Sequence, residues 1–438
     1  MNSSSKAGGP PGEFVKKPKL SKAEQCAQQT AQRAAKAAKA AEASPVLGGG
    51  SKAEVARKKK VSATLTKSLR VAKGGGVVSG NNKVLEMFSH LPSPESRHFS
   101  THEVLLSAAC GLHPLVVTLG VKIFEKRIVG SHARCMAMLR TLDVVIQDHI
   151  TVRGKEFSRD IFQKINTTII FLAKCRPLCD SMSNAIKALK QKLTELDPSQ
   201  PEAKLKNVLT NWIETFRCTR LTLAQQSIAD MVSKEGKIQD GDVVLTNATT
   251  TGLMTAIITK AYNDGKKFRV IVVGSKALVS ISQNAVVTEC TRLGIKCSYT
   301  MINAVSYIMR EVTKVFLSVH ALLGNGYVMG KVGTALIAMT AKAHKVPVLV
   351  PCETYKFSER VQTDSFVFNE LGDPNDFVKD LNDDEMTDWR DIDHLTLINM
   401  VYDVTPPEFV DMVITEIGMI PCSSVPVVLR VTQANVMD

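Results

Sequence analysis

The chain has 438 residues, of which 44% are apolar and 22% are charged, a composition typical of a globular protein of two or three domains. Its longest apolar runs, such as residues 169–173, are far shorter than the roughly 20 residues of a membrane-spanning helix, which excludes an integral membrane protein. Ten cysteines without a C-x-x-C pair, and an N-terminus without a secretory pattern, favour the cytosol and argue against a zinc ribbon or a disulfide scaffold.

The net charge of +13 is concentrated at the N-terminus. Residues 1–73 contain 13 Lys, 3 Arg and 4 Glu, a net charge of +12, so the other residues carry only +1. Binding to nucleic-acid phosphates depends on a basic excess, and only the N-terminal segment has one. The near-neutral remainder is therefore not predicted to be a nucleic-acid-binding domain.

Residues 1–80 are predicted to be a disordered, basic, low-complexity tail. They contain glycine runs at 48–50 and 74–76 and few large apolar side chains, so they lack the burial that offsets the entropy of ordering. The basic runs at 16–17 and 57–60 leave two interpretations open. The tail is either a solvated segment that aids solubility or a segment that contacts RNA or ribosomes.

Residues 84–236 have a helical pattern. Apolar residues recur there at spacings of three and four, which places them on one face of each predicted helix. The clearest helical segments are residues 116–124, 160–174, 183–196 and 205–216. Prolines at 198 and 201 separate two of these segments. This region is predicted to be a bundle of five or six helices.

Residues 237–438 change to short apolar strands that alternate with amphipathic helices. The predicted strands are residues 242–246, 269–273, 295–299, 315–319, 346–350 and 425–429, and the clearest helices are residues 251–263, 283–293 and 333–344. This alternation predicts a mainly parallel sheet with helices on both faces. The predicted fold class is therefore α/β: an N-terminal helical bundle, then a Rossmann-like sheet domain, preceded by the disordered tail.

Ligands bind beyond the carboxyl ends of the strands in such a sheet, and two polar loops are expected there. The first contains glycines and one lysine before a predicted helix, so it fits either a phosphate site or a tight structural turn. Its residues are Asn325, Gly326, Lys331, Gly333 and Thr334. The second loop, with Asn247 and Thr249, fits either an anion site or a helix cap.

Metal-binding and nucleophilic patterns are weak. His98 and His102 are four residues apart but have no evident third ligand, and Cys175 and Cys179 are better interpreted as buried thiols. The acidic stretch at 373–393 is predicted to be a solvated loop. No metal site and no cofactor are predicted.

Several unusual strings lie within residues 84–431 and begin with Cys175-Arg176-Pro177-Leu178. The others are residues 181–186, 344–350, 352–357, 359–364, 401–407 and 417–421. These strings resemble the regulatory alpha, beta and delta subunit family of eukaryotic translation initiation factor 2B, and the delta subunits most of all. The resemblance implies that a helical domain at 84–236 precedes a Rossmann-like domain at 237–438 that carries subunit assembly.

The wider family includes isomerases that act on methylthioribose 1-phosphate and ribose 1,5-bisphosphate. These enzymes resemble each other in a strand-end Leu-Thr-His-Cys-Asn with a catalytic Cys, and in a Gly-Ala-Asp whose Asp is an acid/base. This chain has Ala248 and His320 at the matching positions. Because alanine cannot transfer a proton, the resemblance implies that the isomerase chemistry is lost and that no residue is catalytic. Asn325, Gly326, Lys331, Gly333 and Thr334 still match the family's phosphate-side loop. Together with Asn247 and Thr249 they imply a vestigial anion site.

The resemblance implies a noncatalytic regulatory subunit of the guanine nucleotide exchange factor for translation initiation factor 2. In that heterodecamer, alpha, beta and delta subunits form a core to which gamma and epsilon subunits attach. The core binds initiation factor 2 and senses phosphorylation of its alpha subunit in the integrated stress response. These proteins are the expected partners, in the cytosol and without a membrane.

Three apolar residues near the acidic stretch, Phe366, Leu395 and Ile398, are predicted to line a subunit-interface groove, with plain core as the alternative. Two other functions stay open. The first is an active aldose–ketose isomerase of a sugar phosphate, which Ala248 argues against. The second is an RNA- or ribosome-binding adaptor that acts through the tail.

Overall fold

The computed structural model describes residues 85–93, 111–151, 154–248, 252–274, 284–378, 389–392 and 394–434. All of these belong to one compact unit, Asn81–Asp438. The predicted tail, His98, His102 and Thr249 lie outside the described residues. Among the described residues, no helix is both long and apolar enough to cross a membrane.

The first half of the described chain is helical, as the sequence predicts. The helices are α1 Pro114–Phe124, α2 Ser131–Gln147, α3 Phe157–Cys175, α4 Asp180–Thr194, α5 Glu202–Phe216 and α6 Ala224–Lys234. A π-helical segment, Arg217–Leu223, joins α5 to α6. The helices bury one shared apolar core, and Cys175 and Cys179 are buried thiols within it.

A glycine allows α1 and α3 to pack closely. A Cβ atom on Gly120 would lie 2.5 Å from Cε1 of Phe171 and 2.7 Å from Sγ of Cys175, closer than atoms can approach. The hydrogen atom of glycine leaves room for both side chains. Position 120 therefore sets the distance between the two helices.

The second half contains eleven strands and five helices among the described residues. The strands are β1 Val243–Asn247, β2 Arg269–Gly274, β3 Cys297–Met301, β4 Lys314–Phe316, β5 Ala321–Leu323, β6 Val328–Lys331, β7 Val348–Pro351, β8 Phe357–Ser358, β9 Tyr402–Thr405, β10 Met412–Thr415 and β11 Gly418–Ile420. The helices are α7 Gly252–Asn263, α8 Ala285–Leu293, α9 Val305–Ile308, α10 Thr334–Ala343 and α11 Val425–Ala434.

Seven strands form the large sheet, in the order β11-β10-β7-β4-β1-β2-β3. All neighbouring pairs are parallel except β10 and β11. Successive residues of β1 belong to different cores: Val244 packs in the cluster that contains α7 residues, and Leu245 in the cluster that contains α10 residues. The expectation of a mainly parallel sheet with both faces covered is confirmed.

A second sheet of four short strands, β8-β5-β6-β9, was not predicted from the sequence. Its strands have two to four residues, which is too short to show a period of two. The β5–β6 hairpin and β9 reach the carboxyl end of the large sheet. This sheet therefore contributes residues to the candidate site.

The strand predicted at residues 425–429 is wrong, because this segment is the first part of α11. Val425 is buried and Val428 and Leu429 pack against the same core, whereas Val427 is 57% exposed. This spacing of three and four is helical. The run of β-branched residues suggested a strand, but the packed face of the segment follows the helical period.

Candidate functional site

A small cavity lies where the direction of strand order reverses in the large sheet. From β1, the chain continues to β2 and β3 on one side and to β4 on the other, and open α/β sheets bind ligands beyond such a point. The cavity has a volume of about 70 Å³. Its wall includes Ser131 of α2, Arg176, Asn247 and Ala248 at the end of β1, His320, Lys331 and Tyr402.

Asn247 holds the ends of β1 and β4 together. Its side-chain Oδ1 accepts a hydrogen bond from the Ser318 backbone N–H at 2.9 Å, and its Nδ2 donates to the Ser318 carbonyl at 3.1 Å. The same Nδ2 donates to Oγ1 of Thr334 at 3.2 Å. Asn247 is only 6% exposed, so the side chain acts first as a structural bridge in the cavity wall.

The N-terminus of α10 is capped by a carboxylate of the same chain. Oδ2 of Asp403 accepts hydrogen bonds from the backbone N–H groups of Gly333 at 2.7 Å and Ala335 at 2.9 Å. The φ angle of +99° at Gly333 suits glycine. The favourable anion position at this helix end is therefore filled by Asp403.

The structure does not bring the residues of the predicted phosphate loop into one cluster. Lys331 lines the cavity, and Thr334 contacts Asn247 in its wall. Asn325 and Gly326 lie instead in the turn that joins β5 to β6, where the Asn325 amide donates to the Gln362 carbonyl at 3.0 Å. The length of β6 separates the two groups, so the turn is structural.

The cavity has a cationic environment. Arg176 and Lys331 line it, and no Asp or Glu is among the described residues of its wall. The Arg176 guanidinium is paired with Glu370, so Lys331 is the charge in the wall that no described ion pair compensates. Lys331 lies at the exposed end of β6. Arg134 lies behind the wall with 1% exposure, and its Nε and Nη1 atoms have no hydrogen-bond partner among the described residues. Such a cavity favours an anion.

His320 is neutral at physiological pH. Burial lowers the pKa of its imidazole well below the usual value, and the nearby charges of Arg134, Arg176, Lys356 and Arg360 lower it further. The imidazole packs against the Tyr402 ring at 4.3 Å between centroids. A group with so low a pKa is a weak base and does not supply a proton near pH 7.

A buried ion pair lies at the junction of the helices and the sheets. Oε2 of Glu353 is 2.6 Å from Nζ of Lys356, and both side chains are at most 1% exposed. Gln225 of α6 donates to Oε1 of Glu353 at 2.9 Å. Burial would raise the pKa of Glu353, but the Lys356 ammonium group outweighs it and the pKa is lowered. The pair is therefore charged, and the Glu353 carboxylate also accepts a hydrogen bond from α6 across the junction.

Two of the three predicted interface residues meet at one surface. Phe366 is 48% exposed and stacks on Phe88 at 5.5 Å between ring centroids. Phe88 and Leu371 form a small cluster against which Ile398 packs. Leu395 is half-buried, and its backbone N–H donates to the Ile392 carbonyl at 3.2 Å. Phe366 and Ile398 thus both pack against the small cluster that contains Phe88.

Sequence reasoning missed Arg134 and Asp403. The signal for Arg134 was available, because it lies four residues before Met138 on the apolar face of α2, where a charged residue is unusual. The sequence around Asp403 does not indicate its capping role, because the helix that it caps begins 69 residues earlier. No group of three described His, Cys, Asp or Glu residues is placed to hold a metal ion.

Comparisons with known proteins agree with the motifs. A family model described as the initiation factor 2 subunit family matches residues 127–422. The translation initiation factor eIF2B subunit delta of Schizosaccharomyces pombe is 38% identical over 355 residues, which are 80% of this chain and 73% of that protein. The same subunit of Dictyostelium discoideum is 38% identical over 373 residues, which are 82% of this chain but 58% of that longer protein.

Two further comparisons concern the fold and the enzymes of the family. Ribose 1,5-bisphosphate isomerase of Thermococcus kodakarensis is 30% identical over 303 residues, 69% of this chain and 88% of the enzyme. A chain in the crystal structure of the tetrameric eIF2B-beta2-delta2 complex from C. thermophilum superposes with a TM-score of 0.64 at 27% identity, covering 77% of this chain and 98% of that one. The resemblance to delta subunits is thereby confirmed, and the chain belongs to the initiation factor 2 subunit family.

Proposed function

We propose that this protein is a noncatalytic regulatory subunit of the guanine nucleotide exchange factor for translation initiation factor 2. The match to eIF2B delta subunits over about four-fifths of the chain carries the proposal. In this function the protein assembles with alpha, beta, gamma and epsilon subunits into a cytosolic heterodecamer. It helps the complex to bind initiation factor 2 and to sense phosphorylation of the alpha subunit of that factor in the integrated stress response.

We propose that the surface formed by Phe366 and Ile398 pairs with a beta subunit; Leu395 belongs to this proposal by sequence alone. The related C. thermophilum chain is part of a beta2-delta2 complex, which supports a beta subunit as the partner. Phe366 has both an exposed face and a stacked face, and its neighbours Val367 and Phe368 are 55% and 49% exposed. Exposed apolar side chains contribute most of the binding free energy when a partner removes them from water.

Purification from native lysate with mass identification tests this assembly. We expect beta, gamma and epsilon subunits in equal amounts with the unaltered protein, and we expect Phe366→Asp to reduce the recovered beta subunit. Tyr262→Asp is the matched control, because Tyr262 is similarly exposed but lies on α7. Recovery of the unaltered protein without eIF2B subunits contradicts the assembly proposal, and unchanged recovery with Phe366→Asp contradicts the proposed surface.

The geometry of the cavity supports a noncatalytic role. Position 248 presents a methyl group at the end of β1, His320 is a weak base, and the described cavity wall contains no thiol and no carboxylate. An aldose–ketose isomerisation moves a proton between two carbon atoms and needs groups of suitable pKa in place. The described wall therefore lacks the pair of a thiol and a carboxylate that the isomerases of the family are expected to use for this step.

We further propose that the cavity retains part of an anion site. Lys331 and Arg176 supply positive charge, Ser131 begins a 17-residue helix beside them, and Asn247 and Thr334 shape the wall. Asn325 and Gly326 are not part of this site, and Thr249 belongs to the proposal by sequence alone. Lys331→Met should weaken binding of inorganic phosphate in calorimetry, whereas Lys342→Met, which alters an exposed lysine of α10, should not.

An active sugar-phosphate isomerase is the second candidate, favoured by the cationic cavity and by the similarity to the Thermococcus enzyme. Incubation of the purified protein with methylthioribose 1-phosphate or ribose 1,5-bisphosphate separates the two functions. We expect no product above the heat-treated control. Turnover that Lys331→Met abolishes would contradict the noncatalytic role and establish the enzyme.

The basic N-terminal segment supports one additional contact. Its net charge of +12 fits RNA or ribosome binding through phosphates. Deleting residues 1–75 should remove the salt-dependent part of RNA affinity. Equal affinity at two salt concentrations, with and without the segment, would leave this contact unsupported.

A further inference from the structure

Helix α10 carries apolar side chains on two opposite faces. Ile337, Ala338 and Ala341 are buried against the large sheet, in the core that also contains residues of β4 and β7. Leu336 and Met339 lie on the other side of the helix, where they are 44% and 48% exposed. A helix of a globular protein normally presents polar side chains to solvent, whereas a helix that is apolar all round is normally buried. The second apolar face of α10 is therefore a candidate contact surface.

Neighbouring residues enlarge this exposed face. Val332 lies just before α10 and is also exposed, so that Val332, Leu336 and Met339 together form what we call the α10 surface. The short helix α9 packs against α10, and its Tyr307 is 80% exposed. Residues 332–341 contain no charged side chain. The α10 surface is thus an apolar area that has no charge of its own.

Backbone hydrogen bonds connect the α10 surface to the surface formed by Phe366 and Ile398. The Val332 N–H donates to the Val401 carbonyl at 3.1 Å, and the Val401 N–H donates to the Glu370 carbonyl at 3.0 Å. Val401 lies three residues after Ile398, and Glu370 lies four residues after Phe366. Three chain segments therefore lie side by side, and the two apolar surfaces are neighbours across them.

The size of a stable interface favours a contact that spans both surfaces. A specific interface buries roughly 800 Å² on each partner, and permanent complexes bury more and are more apolar. Phe366 and Ile398 alone offer little apolar area, whereas the α10 surface adds three apolar side chains directly beside them. The related C. thermophilum chain belongs to a beta2-delta2 complex, and a lasting assembly of that kind fits the larger surface.

We propose that the α10 surface is a second part of the contact with a beta subunit, so that one partner covers Leu336 and Met339 together with Phe366. The inference rests on the proposed regulatory function and adds to it a helix that the sequence did not assign to assembly. The face of the beta subunit opposite Leu336 and Met339 is apolar, because an unpaired charge buried against these side chains would oppose binding.

Photo-crosslinking identifies what covers α10. The full-length chain is produced together with the other eIF2B subunits, with p-benzoylphenylalanine in place of Met339 or, separately, of Phe366. After irradiation, mass spectrometry of the crosslinked product should identify the beta subunit at both positions. A product between position 339 and a second copy of this chain, or between position 339 and another subunit, would overturn the proposal. A product at position 366 with none at position 339 would overturn it as well.

Charge substitutions test the energetic role of the α10 surface. Leu336→Glu and Met339→Glu should each lower the amount of co-purified beta subunit by about tenfold, because each places a charge in the apolar contact. Ile150→Glu is the matched control, since Ile150 is 84% exposed but lies after α2 in the helical half. Thermal unfolding of each purified variant checks that it is folded.

The outcomes separate this inference from the proposed function. If the unaltered protein recovers no eIF2B subunit, the proposed function fails, and the inference fails with it. If the unaltered protein recovers the beta subunit and Leu336→Glu recovers as much as Ile150→Glu does, only the α10 inference is overturned. Loss of the beta subunit with Leu336→Glu but not with Ile150→Glu supports both.

Discussion

Asp403 shows how one residue can have a structural role inside a loop that resembles a phosphate site. Its Oδ2 atom satisfies two backbone N–H groups at the start of α10, and its Oδ1 atom is buried without a hydrogen-bond partner among the described residues. Burial raises the pKa of Asp403 to about 6, in spite of the backbone hydrogen bonds that favour the charged form. The charged carboxylate therefore destabilises the folded protein while its hydrogen bonds stabilise the helix.

This opposition predicts a pH dependence of stability. Because the folded-state pKa lies above the ordinary value of 3.8, the folded state binds more protons than the unfolded state between about pH 4 and pH 6, and stability falls as the pH rises through this range. The loss amounts to about 3 kcal/mol. Urea unfolding of the wild type and of Asp403→Asn at several pH values should show this slope only in the wild type.

A second variant separates the charge of Asp403 from its two hydrogen bonds. An asparagine retains an oxygen acceptor for both N–H groups, whereas Asp403→Ala retains none and should be less stable than Asp403→Asn throughout the range. A difference between wild type and Asp403→Asn that does not change with pH would contradict the raised pKa.

At the scale of elements, the apolar pattern of the sequence predicted the long helices but not the short strands. The helices at 116–124, 160–174, 183–196 and 205–216 carry apolar stripes, and all four are present in the structure. The strands of the second sheet are too short to carry a pattern. The start of α11 was mistaken for a strand because residues 425–429 contain no charged or polar side chain. The helical spacing of its buried residues is visible only from their contacts with the core.

The candidate site was less predictable than the fold. Asn247 and Lys331 were expected at strand ends, and both line the cavity. Asn325 and Gly326 were grouped with Lys331 because they are close in sequence, yet a β-strand extends about 3.3 Å per residue and carries them away. Arg134 and Asp403 reach the site from distant elements, and spacing along the chain does not reveal such tertiary contacts.

The close packing at Gly120 predicts that a glycine-to-alanine change lowers the free energy of unfolding, whereas the same change in an exposed helix raises it. In an exposed helix this change stabilises by about 1 kcal/mol through helix propensity. Here the added methyl group meets Phe171 and Cys175, so Gly120→Ala should destabilise by about 1–3 kcal/mol in thermal or urea unfolding. Lys122→Ala, at an exposed position of the same helix, is the control. Higher stability of Gly120→Ala would show that α1 and α3 can separate without penalty.

For the molecule as a whole, residues 353–360 join the helical half to the sheets. Glu353 contacts Gln225 of α6, and the Tyr355 hydroxyl lies 2.8 Å from Nδ1 of His132 in α2. Asn184 of α4 donates to the Tyr355 carbonyl at 3.0 Å. Three helices are thus bound to one segment between β7 and β8, which fits the single compact unit formed by the described residues.

Loss of one partner of the buried ion pair should disrupt this junction. Lys356→Met leaves the Glu353 charge without compensation and should cost about 3–5 kcal/mol. The double variant Glu353→Gln with Lys356→Met removes both charges and should lose much less. Urea unfolding of both variants measures the difference. Equal losses of stability in the single and the double variant would show that the buried Glu353 charge is tolerated without Lys356.

Arg176 belongs to the cavity and to the neighbourhood of the proposed assembly surface at the same time. Its Nε donates to Oε2 of Glu370 at 2.8 Å, and Glu370 lies four residues after Phe366. An anion that enters the cavity competes with Glu370 for the same guanidinium group. By thermodynamic reciprocity, a partner subunit that drew Glu370 away from Arg176 would strengthen anion binding by the same factor by which the anion strengthens binding of that subunit.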